Sequence, residues 1–173
     1  MAMDRALFLA VLEDSYSAYY NILPAGETGL PLAFRAEYFS RSEQYFLSKS
    51  ATIWANETNE LCYVFSAPSF TPELADRCMD FVIAESLPRV KPHKEHQYTN
   101  FKAVFVADSF DEQTRKAITK RRFEKSYHFS LHGYSALLTA AVDLRREEAF
   151  TNPAGRELTD YFRKLFASRK EET

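Results

Sequence analysis

The chain has 173 residues, of which 46% are hydrophobic, 15% aromatic and 27% charged, and its formal net charge is −2. That balance supplies one aromatic core in one domain, with a frayed tail expected at 168–173. It excludes collagen-like, disordered and membrane-spanning compositions, because no apolar run nears the roughly 20 residues of a bilayer helix. The charge is uneven: Arg89–Lys125 holds ten basic and five acidic residues, hence +5 there and −7 elsewhere.

In chain order, Phe8, Val11, Leu12, Tyr16, Tyr19 and Leu23 recur in threes and fours, which predicts a helix over Asp4–Leu23. The Pro- and Gly-rich stretch Pro24–Pro31 breaks it. From Leu32 the period falls to two. Phe34, Ala36 and Tyr38 alternate with Arg35 and Glu37, and polar links at Arg41–Glu43 and Asn56–Asn59 divide the region into a three-stranded meander, with Tyr45–Ala55 as its middle strand. Thr71, Pro72 and Glu73 form a helix start, and Leu74, Cys78, Phe81 and Val82 its buried stripe, ended by Pro88.

Phe101–Asp108 is apolar enough to be a strand covered on both faces. Ser109–Glu112 is the capping box of a helix over Asp111–Arg121. Phe123–His132 alternates again and predicts a strand whose polar face carries His128 and His132. Leu137–Leu144 is a further strand, Ala149–Thr151 a short one, and Leu158, Tyr161, Phe162, Leu165 and Phe166 stripe a last helix opened by Asn152 and Pro153. The expected fold is mixed α/β: a single three-layer domain of order α-β-β-β-α-β-α-β-β-α, a mixed sheet flanked by helices. Cys62 and Cys78, 16 positions apart, match no zinc or redox spacing and are expected as buried free thiols. The opening residues, apolar from Ala6 but soon meeting Glu13 and Asp14, show no cleavage signature, so a cytoplasmic location without a membrane span is expected.

The order helix, three strands, helix, strand resembles the restriction-endonuclease-like core through Asp108. That resemblance implies an Asp on the second strand and a Glu-x-Lys on the third, which hold a divalent cation and assist the attacking water. Glu60–Phe65 has its one acid at the entry and no lysine, so the implied metal site is lost or moved. Tyr45–Ala51, Lys91–His96, Ser130–Tyr134, Val142–Leu144 and Thr151–Arg156 resemble an uncharacterised family of small clostridial and related bacterial proteins, which implies no particular activity.

All four histidines, His93, His96, His128 and His132, fall between Lys91 and His132. Imidazoles with a carboxylate can hold a transition metal, but residues i and i+4 of a strand lie roughly 13 Å apart, so His128 and His132 cannot share one ion. Asp108 ends the best strand, where open sheets often bind ligands, although a turn or cap role is the commoner one. Arg121 and Arg122 could contact phosphates, and Tyr98, Phe101 and Tyr127 could stack on bases. No nucleophile elbow and no phosphate-binding glycine loop is present. No catalytic residue, metal ligand or cofactor is therefore assigned. The leading expectation is a non-enzymatic binding module whose surface at His93, His96, Asp108, Arg121, Arg122, His128 and His132 meets an anionic ligand or nucleic acid. The alternatives are a divalent-metal hydrolase using His93, His96 and Asp108, and a self-associating structural protein, since 25 of the 26 aromatic side chains being Phe or Tyr gives a large apolar surface.

Overall fold

The computed structural model describes residues 3–44 and 54–170. Its helices are α1 (Arg5–Ser17), α2 (Pro72–Ser86), α3 (Glu112–Lys120) and α4 (Arg156–Lys170). Its strands are β1 (Asn21–Pro24), β2 (Leu32–Gln44), β3 (Trp54–Ser66), β4 (His96–Ala107), β5 (Glu124–Ser126), β6 (Tyr134–Asp143) and β7 (Glu148–Thr151). They form one open mixed sheet in the order β1-β2-β3-β4-β6-β5, with β7 also paired to β6. The three central strands β3, β4 and β6 are parallel, which requires crossovers, and α2 and α3 supply them; every other pairing is antiparallel.

Alternation along the central strands builds two cores. Leu61, Tyr63 and Phe65 of β3 and Phe101, Ala103 and Phe105 of β4 pack with Cys78, Met79 and Val82 of α2 and Ile118 of α3. Cys62, Val64, Val104 and Val106 pack on the opposite face against Phe8, Leu12 and Tyr16 of α1 and Phe162 and Phe166 of α4. The result is the expected helix–sheet–helix domain. Both cysteines are free and buried. Thr71 caps α2, accepting from Leu74 N at 3.1 Å, while Asp111, rather than Ser109, caps α3 by accepting from Thr114 N at 2.7 Å.

Several boundaries differ from the sequence expectation. The first helix stops at Ser17, and Asn21–Pro24 instead pairs with Phe34–Glu37 as β1, because an extended backbone there finds ladder partners on β2. The antiparallel meander is β1, β2 and β3: the presumed links at Arg41 and Asn56–Asn59 lie inside β2 and β3, where Arg41 faces Glu57 across the ladder and binds it at 3.0 Å. The expected middle strand, Tyr45–Ala55, lies outside the described residues up to residue 53. Strand β5 ends at Ser126, not His132. Beyond it His128, Phe129 and Ser130 all adopt left-handed φ values, of 49°, 52° and 67°, and turn the chain back through Gly133. Gly133 is confined by more than its φ of 76°: a Cβ there would lie 2.3 Å from the Gln97 carbonyl oxygen.

The stretch Thr151–Arg156 has a structural role. Buried Asn152 accepts at Oδ1 from Thr139 N and Gly155 N, and donates from Nδ2 to the carbonyls of Arg121 and Leu137. One side chain thereby ties β6, the end of α3 and the start of α4 together.

Candidate functional site

The histidines do converge, at the amino end of β4, but as a structural knot. His96 is buried; its Nδ1 donates to the His132 carbonyl at 2.7 Å, and its Nε2 lies 2.8 Å from the Thr99 hydroxyl oxygen. His93 Nε2 lies 2.7 Å from Glu57 Oε2. Partial burial works against ionisation of Glu57, but its bonds to His93 and Arg41 outweigh this and hold the carboxyl below its ordinary range. His128 and His132 stack with ring centroids 4.6 Å apart, which corrects the separation expected of strand residues: the left-handed turn folds them together. Among the described residues no group of three or more His, Cys, Asp or Glu side chains is placed to hold a metal ion.

The other sequence candidates lie apart from this knot. Asp108 sits beyond the opposite end of β4, about 40 Å along the strand from His96, and accepts from Arg5 Nη1 at 2.6 Å. Arg121 pairs with Asp80 of α2 at 2.5 Å, and Arg122 is exposed at the end of α3. Of the three aromatics considered for stacking, Phe101 is fully buried in the core and Tyr127 packs edge-on against His96. Tyr98 is the one that lines a cavity.

That cavity is a cleft of about 580 Å³ between α1, α4 and the strands β2, β3 and β4. Six tyrosines shape it: Tyr16, Tyr19, Tyr20, Tyr38, Tyr98 and Tyr161. They arrive from four directions. Tyr16 lies in the last turn of α1 and Tyr20 just beyond its end, with rings 4.9 Å apart and edge to face; Tyr38 and Tyr98 share the parity of Ala36 and Lys102 on their strands; Tyr161 is on the buried stripe of α4. On its floor Lys102, 8% exposed, reaches Glu60 Oε2 at 2.6 Å and the Tyr20 hydroxyl oxygen at 3.2 Å. The Tyr20 hydroxyl in turn donates to the same Glu60 oxygen. Burial, reinforced by the hydrogen bond and charge of Glu60, pushes the Tyr20 phenol far above its ordinary range, so it stays a donor. Cys62 lies behind the floor, where burial raises its thiol to about 11 and leaves it unreactive.

Sequence reasoning named Tyr98 but not the floor of the cleft. The available signal was Lys102 itself, a single cation inside an otherwise apolar strand. Its partner Glu60 is 42 positions away and is found only once β3 and β4 are known to pair in parallel.

The family model described as Domain of unknown function (DUF8052) matches residues 4–164. The chain belongs to this family. No curated protein and no solved structure matches it. The DUF8052 span contains the whole cleft lining, Ser15 to Tyr161, together with the histidine knot. No helix among the described residues of this DUF8052 chain is long and apolar enough to cross a membrane.

Proposed function

We propose that this domain is a non-enzymatic binding module whose ligand occupies the tyrosine-lined cleft. The observation that carries the reading is the Lys102–Glu60 pair on the cleft floor. Desolvating a lysine and a carboxylate costs several kcal/mol per ion unless their mutual bonds are good, and apolar side chains would fill this position at lower cost. A charged floor under aromatic walls is the arrangement of pockets that orient a ligand with a few polar groups and bury it against rings. The volume of about 580 Å³ suits a small organic molecule.

The expected basic, histidine-bearing surface contributes less. Between Lys91 and His132, Lys102 pairs with Glu60, Arg115 with Glu148 and Arg121 with Asp80, so three of the nine basic side chains of that segment are already engaged within the fold. Both ring nitrogens of His96 are engaged, and Asp108 is far from it, so a hydrolytic centre built on His93, His96 and Asp108 gains no support.

A fragment screen read by thermal shift tests the cleft. Fragments that stabilise the wild-type domain are expected to lose their effect on Leu158→Trp, which fills the cleft from α4, and on Tyr38→Ala, while Lys116→Ala leaves it intact. Equal stabilisation of all four folded proteins would overturn the reading.

A further inference from the structure

We infer that the cleft recognises a neutral nucleoside through the lactam edge of its base; this rests on the cleft being the binding site. The floor supplies the argument. Lys102 has three N–H donors, and Glu60 and Tyr20 use two of them. Glu60 accepts twice at Oε2, from Lys102 and Tyr20, and no described residue reaches Oε1. One charged donor and one charged acceptor therefore stand side by side, unclaimed, beneath the rings.

The complementary ligand presents a carbonyl oxygen next to an N–H. Guanine, hypoxanthine and uracil carry that pair: the carbonyl accepts from Lys102 and the adjacent N–H donates to Glu60. Both bonds are charge-assisted, the stronger class of hydrogen bond. Tyr38 and Tyr98 provide faces on which such a ring stacks, and the remaining volume accommodates a ribose.

Other ligand classes fit less well. An anion would meet Glu157 at the rim and Glu60 at the floor, with Lys102 already neutralised. An organic cation is the usual guest of a tyrosine cage, but Lys102 Nζ already occupies one ring, 5.7 Å from the centroid of Tyr20, and a cation has no use for the free Lys102 donor. A simple sugar finds hydroxyl partners in Ser15 and Thr58, but it presents no carbonyl beside an N–H to the floor pair.

Calorimetric titration of the full chain with guanosine, inosine and uridine, and with adenosine, cytidine, choline and glucose, decides the matter. A lactam-edged nucleoside is expected to bind at least about tenfold more tightly than adenosine or cytidine, which lack that edge. Lys102→Met and Glu60→Gln are each expected to weaken it about tenfold or more. Tyr38→Ala, at the rim and independent of the buried pair, should weaken every nucleoside roughly tenfold through lost stacking and serves if Lys102→Met does not fold. The same base in a short oligonucleotide, which brings phosphates toward Glu157, should bind more weakly. Tighter binding of the oligonucleotide would overturn the assignment to a free nucleoside. Saturable binding of choline or glucose with none of a lactam nucleoside would overturn the ligand class, as would binding of the nucleosides unaltered in the folded floor variants. If no nucleoside binds while cleft-directed fragments still do, this inference fails and the cleft stands; if Leu158→Trp also leaves the fragments unaffected, both fail.

Discussion

A lysine ammonium inside an apolar strand is tolerated only while its counter-charge stays within reach, and Lys102 has Glu60 at 2.6 Å. Removing one member of such a buried pair leaves the other desolvated and uncompensated. Lys102→Met is therefore expected to destabilise the fold by about 3 kcal/mol, the low end for buried pairs because Glu60 retains some solvent contact. Adding Glu60→Gln to it should recover much of that loss, since the residual charge is gone and Tyr20 can still donate to the amide oxygen. Urea unfolding of the two single variants and the double variant reads the coupling; strictly additive losses would mean the pair does not interact as described. This pair was missed in the sequence. A cation at position 102, among Phe101 and Ala103–Ala107, was the signal passed over, and the identity of its partner depends on strand pairing, which local patterning does not encode. The histidines misled for the converse reason: residue type is visible at once, whereas the bonds that engage both nitrogens of His96 come from His132 and Thr99 only after folding.

At the scale of elements, periodicity found what periodicity governs. α2 was recovered with its Thr71 cap, the Phe101–Ala107 part of β4 with its two buried faces, and the stripe of α4, because each follows from burial of a repeating side, whereas the first five residues of β4, from His96, were missed. What it lost were transitions set by pairing across the sheet. Polar residues at Arg41 and Asn56–Asn59 read as links, yet they serve as cross-strand partners in a hairpin, and Asn21–Pro24 became a strand because β2 offered it a ladder. The turn after β5 was lost for a different reason. Three consecutive non-glycine residues in the left-handed region cost roughly 1–3 kcal/mol each, so local propensity argues against them. The turn is held by bonds from Tyr127 N to the Gly133 carbonyl and from His132 N to the Tyr127 carbonyl, and by the close passage of Gly133 over Gln97. Gly133→Ala should thus destabilise the domain by more than about 1 kcal/mol, from the strained φ and the backbone clash together. A urea midpoint equal to that of the wild type would show that Gln97 moves aside freely.

The whole molecule carries its acids unequally, and that asymmetry shapes its response to pH. Four groups on or near the sheet are kept protonated by burial: Cys62 is pushed up to about 11 and Cys78 to about 12, and Tyr16 and Tyr20 lie well above the ordinary phenol range. In the unfolded chain the thiols ionise near about 8.5 and the phenols near about 10. Each folded pKa is raised, so the stability these groups contribute is complete below the unfolded values and is lost as pH rises through the window up to the folded ones. The thiols act first, between about 8.5 and about 11–12, and the tyrosines extend the loss upward. Unfolding midpoints in urea should therefore fall steadily from pH 8.5 to pH 11, while a Cys62→Ala, Cys78→Ala variant, weaker at neutral pH because two core side chains are shortened, should lose stability less steeply over that interval. The sheet couples both cysteines to one cooperative core, Cys62 on the cleft face and Cys78 on the other, so native thiols on both sides should resist alkylation until global unfolding exposes them. Rapid alkylation of either thiol at pH 8 under native conditions, or parallel pH profiles for the wild type and the double variant, would contradict the burial from which this dependence is argued.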